Sequence, residues 1–377
     1  MKRFLTQYFA SDLWPLLTLF GLWLLEQVFL FSNFGIVTSY EAAVYIKQAS
    51  YFLQAGRFAT NNFAFYSTEI LIIALAQKLN TGYFPVVLVQ WFLSASSLYL
   101  FYRLLETLTE NRKPAFFFSL LLVAMLYYQL YNVYLFTESI FFSLSIGFIY
   151  YLFTIRKLTV VTLLLTLLFL IVLIFTRPTG LLFIPGTLCY LFMKFNGRKR
   201  ILVSLLFSCL GLVLFYFLLN RALGSGGAFN FLLPYLQEHV ICGIATVQYE
   251  HVIHLPVKQN SVEGLFFVVK SNTGLFLRLA IKRLVAFWGV QRPYYSGLHN
   301  FYVAAYFYAV YILIVAGLKN WLTSYMPEAI FLVLYVALVS LTVMLSCDEW
   351  HNRFLYSILP LLLLLAAGAF FANKRQK

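Results

Sequence analysis

Charged residues are scarce in this chain of 377 residues, and acidic residues are the scarcest of them. Asp and Glu number 13 against 27 Lys and Arg, while hydrophobic residues make up 62% of the sequence. A soluble domain of this composition would expose far more apolar surface than water tolerates. The net charge of +14 does not indicate nucleic-acid binding, because the basic residues form small clusters beside apolar runs, where anionic lipid headgroups attract them.

Motifs for nucleotides and metals are also missing. No P-loop and no Gly-x-Gly-x-x-Gly occurs, and the Gly-rich stretch 221–228 lacks the strand and helix that flank a phosphate loop. None of the four cysteines has Cys-x-x-Cys or Cys/His ligand spacing. They are either structural filler or, for Cys242 and Cys347, a disulfide in an oxidising compartment.

Long apolar runs are what the chain has in abundance. A helix that crosses a bilayer needs about 20 apolar residues. The runs that we interpret as spans are 13–32, 84–106, 114–132, 138–154, 158–176, 180–195, 201–220, 301–318, 328–347 and 353–371. We therefore expect an all-α polytopic membrane protein with about ten transmembrane helices, organised as a single membrane domain over residues 1–377.

The short loops between these runs differ in charge. On one side lie Lys2, Arg3, Arg103, Arg112, Lys113, Arg156, Lys157, Lys194, Arg198, Lys199, Arg200, Lys319, Lys374, Arg375 and Lys377. The short loops opposite contain only Arg177 and Arg353. The positive-inside rule then predicts that both termini are cytoplasmic, as in a bacterial inner-membrane protein. The acids that fall on the non-cytoplasmic side are Glu41, Glu69, Glu138, Asp348 and Glu349.

The two longest segments outside the spans, 33–83 and 221–300, share that non-cytoplasmic side. In the first, 39–56 has the periodicity of an amphipathic helix, and 70–79 is too short to span and indicates an interfacial or re-entrant helix. The second contains a predicted basic amphipathic surface helix with Arg278, Lys282 and Arg283. Such a helix suits either a phosphate-bearing partner at the membrane plane or plain interfacial anchoring.

Several short motifs occur in a definite order along the chain. A first span precedes an outer amphipathic helix led by Glu41, and Thr-Glu-Ser at 137–139 opens a later span. Thr-Arg-Pro-Thr-Gly follows at 176–180, and Arg-Phe-Leu-Tyr-Ser-Ile-Leu-Pro begins the last span at 353. This order resembles the C-type membrane glycosyltransferases, a family that includes protein O-mannosyltransferases, lipid A aminoarabinose transferases and bacterial envelope sugar transferases. The resemblance covers most of the chain.

The resemblance implies a sugar donor carried on a polyprenyl phosphate and an active site on the outer face. It also implies a catalytic acid in the first outer loop, for which Glu41, four residues before Tyr45, is the matching position and Glu69 the competing one. Tyr45 is then a candidate substrate-binding residue. Glu138 is a further catalytic candidate. Glu41 and Glu138 each stand near a helix start, so the alternative for these two is that they only complement the helix dipole.

Basic residues of the later outer loops would contact the donor phosphate in such an enzyme. Arginine offers a planar fork for phosphate oxygens, which makes Arg177 and Arg353 candidates. His351, two residues before Arg353, and Arg292, in the stretch 292–300, are further candidates. The alternative for the arginines is snorkelling at the interface. His351 also has the acid-x-x-His spacing from Asp348 that weakly indicates a metal site.

Aromatic residues near 292–300 complete the set of candidates. Tyr294, Tyr295 and His299 suit stacking on a sugar ring, or belong to an interfacial aromatic belt. The expected function is therefore transfer of a sugar from a polyprenyl-phosphate donor to a glycolipid or envelope-glycan acceptor. No cofactor is required by the sequence, although a divalent metal is left open. A flippase or other transporter for lipid-linked oligosaccharides is the alternative.

Overall fold

The computed structural model describes residues 13–195, 209, 211–213, 215–221, 223–224, 232–244, 254, 261–349 and 351–371. Within these ranges every regular element is a helix, and only two isolated β-bridges occur. The all-α prediction is confirmed for this part of the chain. Half of the predicted span 201–220 lies outside it, as do residues 225–228 of the Gly-rich stretch and the basic residues at 2–3, 198–200 and 374–377.

From Leu13 to Lys194, and again from Val262 to Ala367, the helices follow one another with short connections. In chain order they are α1 (Leu13–Phe34), α2 (Glu41–Ala55), α3 (Ser67–Lys78), α4 (Phe84–Thr109), α5 (Arg112–Ala124), α6 (Leu126–Gln129), α7 (Thr137–Thr154), α8 (Val160–Thr176), α9 (Phe183–Lys194), α10 (Leu232–Leu236), α11 (Val262–Ser271), α12 (Thr273–Gly289), α13 (Gly297–Ser324), α14 (Met326–Leu345) and α15 (Arg353–Ala367). Short 3-10 helices occupy Asn61–Tyr66, Leu130–Val133, Pro178–Leu182 and Gly368–Phe370.

Among the described residues, six helices are long and apolar enough to cross a membrane: α1, α4, α7, α13, α14, and α15 with its 3-10 extension. The number rises to eight if two bent pairs each count as one span. In one pair, α5 and the helical turns that follow it meet at 66°; in the other, α11 and α12 meet at 103°. Within the described residues, α8 with 17 residues and α9 with 12 are shorter than a full span.

Proline explains where α8 stops. The residue before a proline is driven out of the helical region, and Arg177, which precedes Pro178, has extended backbone angles of −158° and 140°. A 3-10 turn follows, so the predicted span 180–195 begins with a tight turn and only then forms the short helix α9. The predicted span 114–132 is likewise interrupted, because Met125 leaves the helical region between α5 and α6.

Two helices fill the segment 33–83. Helix α2 buries Ala42, Tyr45 and Ala49 on one face and ends at Gly56, whose φ of 65° is left-handed. Helix α3 has 12 residues and is too short to cross a bilayer. The two helices pack against each other.

The chain divides into two compact units. The first comprises residues up to Gly180 with Leu313–Tyr325 and the part from Leu359 on, and the second comprises Leu181–Ile312 and Met326–Ile358. In the first unit, α4 packs against α5 and α7. A Cβ on Gly317 would lie 2.5 Å from the backbone nitrogen of Ala369, so two backbones meet there at a distance that only glycine permits. The prediction of a single membrane domain stays a prediction.

In the second unit, α14 packs against both α9 and α12. The rings of Phe183 and Tyr335 stack at 3.9 Å between centroids. The basic surface helix predicted beyond residue 272 corresponds to α12, but the prediction that Arg283 belongs to its surface is wrong. Arg283 is fully buried and donates hydrogen bonds of 2.8 to 3.1 Å to three backbone carbonyls, those of Pro234, His239 and Met344.

A disulfide joins Cys242 to Cys347 in the second unit, with 5.4 Å between their Cα atoms. The backbone around it is paired as well, because Cys242 N–H donates to the Asp348 carbonyl at 2.8 Å and Asp348 N–H donates to the Val240 carbonyl at 3.0 Å. The disulfide that the sequence left open is therefore present, and it fixes the backbone of Asp348.

Candidate active site

The first unit contains a buried group of charged residues that we call the carboxylate cluster: Glu69, Glu138 and Arg177. Glu69 is the third residue of α3, Glu138 is the second residue of α7, and Arg177 directly follows α8. Both carboxylates are completely buried, and Arg177 is 7% exposed. Arg177 forms an ion pair with Glu138. Three helix ends thus bring two acids and one arginine together out of water.

The electrostatics of this cluster single out Glu69. Burial raises the pKa of the Glu69 carboxyl well above its ordinary value of 4.5, and the neighbouring Glu138 charge raises it further. The Gln90 side chain opposes part of this increase. Within the described residues, neither carboxylate oxygen of Glu69 has a hydrogen bond of good geometry. Arg177 pairs with Glu138. The Glu69 carboxyl has a raised basicity because it is buried beside the Glu138 charge.

Threonines beside the charged residues tie the cluster to its helices. Thr176 Oγ1 donates to Thr68 Oγ1 at 3.0 Å, which joins the end of α8 to the start of α3. The next residue, Arg177, is held by the turn that follows, since Gly180 N–H donates to the Arg177 carbonyl at 2.8 Å. A Cβ on Gly180 would lie 2.5 Å from the Leu173 backbone, so this turn requires glycine to pack against α8.

An uncharged hydrogen-bond network, which we call the amide network, lies in the same unit. Gln129 accepts from Gln27 at 3.4 Å and from Asn132 at 3.1 Å. Asn132 also donates to Ser94 at 3.1 Å and accepts from Ser139 at 2.6 Å. All five side chains are buried, and Ser139 adjoins Glu138 in the sequence. Polar groups of this kind inside a membrane protein are costly unless paired. Each of the five side chains has a partner here, although the Gln27 Oε1 atom has none among the described residues.

Glu41 has a different setting from Glu69. It opens α2 and is only half-buried, and it accepts a hydrogen bond of 3.3 Å from the Tyr45 hydroxyl. Tyr45 is buried, and its ring lies 5.5 Å from that of Tyr66. Glu41 and Tyr45 thus meet on one face of α2, but the acid remains partly accessible to solvent.

In the second unit, Arg292 and Asp348 form a fully buried ion pair. The Arg292 guanidinium also donates to the carbonyls of Ala286 at 2.8 Å, Gln291 at 3.2 Å and Glu349 at 3.4 Å. Burial raises the pKa of Asp348 to about 6, although Arg292 works against this increase. The prediction that Arg292 contacts a donor phosphate stays a prediction, and the partners that the structure gives it are protein atoms.

The predicted stacking residues also meet in the second unit. The rings of Tyr295 and His299 stack at 3.7 Å and 9°, and His351 lies almost parallel to Tyr295 at 6.5 Å. Tyr294 packs edge-on against Tyr295 at 5.2 Å and is 40% exposed. Four of the residues predicted from the sequence therefore form one aromatic group.

One candidate phosphate ligand, His351, belongs to this aromatic group, and a second, Arg353, is close enough to affect its pKa. Burial lowers the pKa of His351, and the positive charge of Arg353 lowers it further, so the imidazole is neutral at pH 7. Arg353 begins α15, is buried, and lies 4.0 Å from the Glu349 carboxylate. Arg177, the other predicted phosphate ligand in a short loop, belongs to the first unit. No group of three or more His, Cys, Asp or Glu among the described residues is arranged to hold a metal ion.

Sequence reasoning did not identify Gln90, Thr68, Thr176 or the amide network. A usable signal was present, because Gln27, Gln90 and Gln129 each interrupt an apolar run. Comparison with family models, with curated proteins and with solved structures gives no significant match.

Proposed function

We propose that this chain is an integral membrane glycosyltransferase. It transfers a sugar from a polyprenyl-phosphate donor to a glycolipid or envelope-glycan acceptor on the non-cytoplasmic face of a bacterial inner membrane. The proposal rests on the resemblance to C-type glycosyltransferases and on one structural observation, the fully buried Glu69 beside the Glu138 and Arg177 ion pair. The apolar helices that could cross a membrane agree with an integral membrane protein.

The proposed topology has ten spans, with both termini in the cytoplasm. Two independent features support this orientation. The basic short loops favour the cytoplasmic side, and the disulfide at the end of α14 favours an oxidising compartment for Cys347 and its neighbour Asp348. Since Asp348 is among the acids that the charge pattern assigns to the outer face, the two features agree.

The proposed chemistry begins with a hydroxyl of the acceptor. Its oxygen attacks the anomeric carbon of the donor, the bond between that carbon and the phosphate oxygen breaks, and the polyprenyl phosphate leaves with the bonding electrons. The hydroxyl proton passes to a carboxylate. A carboxylate with a raised pKa is the stronger base for this step, which favours Glu69 as the catalytic base over the half-buried Glu41.

Glu138 and Arg177 support this base without taking the proton. The ion pair keeps Glu138 charged, and its negative charge raises the basicity of Glu69. Arg353 and His351 are the proposed donor-phosphate ligands, because a guanidinium and an imidazole can donate to phosphate oxygens. Tyr294, Tyr295 and His299 are proposed to stack on a sugar ring, and Tyr45 to contact substrate beside Glu41.

The test is turnover by the purified protein with a panel of polyprenyl-phosphate sugars and lipid acceptors. We expect Glu69→Gln to lower kcat by at least ~100-fold, the usual contribution of a general base. The matched control is Glu110→Gln. Glu110 is an exposed acid that follows the C-terminal end of α4, whereas Gln90, which interacts with Glu69, lies near the N-terminal end. This variant should keep wild-type turnover. Loss in Glu41→Gln alone would assign the base to Glu41, and full turnover in both variants would remove both candidates.

The amide network favours a second candidate, a transporter for lipid-linked oligosaccharides. It places uncharged donors and acceptors within α1, α4 and α7, where a transporter could bind sugar hydroxyls along a path. Vesicles that contain the protein and a lipid-linked sugar, but no acceptor, separate the two candidates. Movement of the sugar across the bilayer would support the transporter, whereas the glycosyltransferase requires an acceptor for any reaction.

A further inference from the structure

A pocket of about 590 Å³ lies in the first unit at the ends of α2 and α3, away from the carboxylate cluster. Its lining consists of Ser50, Leu53, Gln54, Ala76, Gln77, Asn80, Gly82 and Tyr83. Gln77 lies eight residues after Glu69 on α3, which corresponds to roughly 12 Å along the helix axis. A short oligosaccharide bound in the pocket is therefore long enough to extend to Glu69, the proposed base.

The lining chemistry is uncharged and rich in amides. Three carboxamides, one serine hydroxyl and one phenol face the pocket, and none of the eight lining residues carries a charge. Carboxamides both donate and accept hydrogen bonds, and an aromatic ring offers a flat apolar face. This combination suits the hydroxyls and C–H face of a neutral sugar, and it offers nothing to balance the charge of a phosphate or carboxylate.

Gln77 organises one wall of the pocket. Its Nε2 donates to the Ile46 carbonyl at 3.2 Å and to the Tyr83 hydroxyl at 3.3 Å, and its Oε1 accepts from Ser50 at 3.2 Å. The Tyr83 hydroxyl can still donate its proton, and the Ser50 oxygen can still accept. In the described part of the chain, the exposed side chains of Gln54 and Asn80 form no intramolecular hydrogen bond.

Apolar residues run beside the pocket. Leu71, Leu75 and Leu79 follow one another at four-residue spacing along α3 and are 43%, 57% and 61% exposed. Exposed leucines on a helix too short to span are typical of an interfacial helix with its apolar face in the bilayer surface. The pocket then opens at the level where lipid headgroups meet water.

We propose that this pocket binds an uncharged saccharide and that, on the proposed function, the saccharide belongs to the acceptor. The sugar hydroxyls bond to the carboxamides of Gln54 and Asn80, and the ring lies against Tyr83. The saccharide is either free in solution or the headgroup of a glycolipid whose tails extend along the leucines of α3. Both sources present the same chemistry to the pocket.

Binding is tested with the full chain in nanodiscs and without a donor. The probes are maltotriose, as a free neutral saccharide, and a diglucosyl diacylglycerol incorporated in the nanodisc. The variant is Gln54→Ala with Asn80→Gly, because Gln54 is exposed on a helix and the left-handed φ of 53° at Asn80 suits glycine. We expect the double variant to weaken binding about tenfold, which corresponds to the loss of two net hydrogen bonds.

The controls are Lys47→Ala and Lys78→Ala. Both lysines are exposed on the same two helices and do not line the pocket. We expect both control variants to bind the probes within about twofold of wild type. Binding of maltotriose assigns the site to free saccharide, and binding of the glycolipid alone assigns it to a headgroup. Equal affinity of the double variant and wild type, or tighter binding of glucose 1-phosphate than of either probe, would overturn the proposal. Because Glu69→Gln should bind both probes normally, failure here is distinguishable from failure of the proposed catalysis.

Discussion

The two units each bury an arginine and an acid, but the charges are balanced differently. In the second unit Arg292 pairs with Asp348 and also donates to three backbone carbonyls, although Arg292 Nε and Asp348 Oδ1 have no partner among the described residues. In the first unit Arg177 pairs with Glu138, and Glu69 is a second buried carboxyl whose oxygens have no hydrogen bond of good geometry. The second arrangement balances one buried acid with one arginine. The first leaves a carboxyl with a raised pKa beside an ion pair, and such perturbed groups cluster at active sites.

The largest expected effect on stability comes from breaking the balanced pair. Asp348→Asn leaves the Arg292 charge buried without a counter-charge, which should lower the free energy of unfolding by about 3–5 kcal/mol. Glu69→Gln should have the opposite sign or no effect, because it removes a carboxyl that its surroundings disfavour. Thermal unfolding of both variants at pH 8 measures the difference. Equal destabilisation by the two would show that the clusters do not differ as described.

The next effect concerns the turn that holds Arg177. In Gly180→Ala the new Cβ meets the Leu173 backbone at 2.5 Å, so we expect a loss of about 1–3 kcal/mol, as for other overpacked sites, together with reduced turnover. Gly274→Ala is the matched control, because a Cβ there has no atom within 4 Å and should stabilise α12 by about 0.5–1 kcal/mol. A Gly180→Ala protein as stable as wild type would show that the turn can shift.

The smallest effect is a change in the pH profile. Because Glu69 must be ionised to accept a proton and its pKa is raised, turnover should rise with pH through a midpoint well above the ordinary glutamate range. Glu138→Gln removes the neighbouring negative charge and should move that midpoint to lower pH. Asp348→Glu, which keeps the charge in the other unit, should leave the midpoint unchanged. An unchanged midpoint in Glu138→Gln would show that the Glu138 charge does not affect the pKa of Glu69.

The sequence predicted the parts of the fold that depend on local apolarity. The first span, 84–106 and 328–347 agree with α1, α4 and α14 to within a few residues, because a run of about 20 apolar residues has few other stable conformations in lipid. The break at Met125 was not predictable, since neither proline nor glycine stands there and local propensity favours a continuous helix.

The candidate site depends more on tertiary packing than the apolar helices do. Glu69 and Glu138 are candidates from the sequence because the charge pattern assigns both acids to the non-cytoplasmic side and the resemblance implies acids in these two segments. Tertiary packing of α3, α7 and α8 decides whether the two acids are buried. It also decides that Arg177 pairs with Glu138 and not with Glu69. Arg283 illustrates the same limit, because helical spacing assigned it to a surface while three carbonyls from distant segments hold it inside.

The disulfide constrains how the protein matures. Its cysteines are 105 residues apart, and both α13 and α14 lie between them in the chain. The bond can therefore close only after α13 and α14 have been synthesised. A chain that stalls before Cys347 would keep Cys242 as a free thiol, which faces the non-cytoplasmic side on the proposed topology, and a quality-control protease could distinguish it from completed chains.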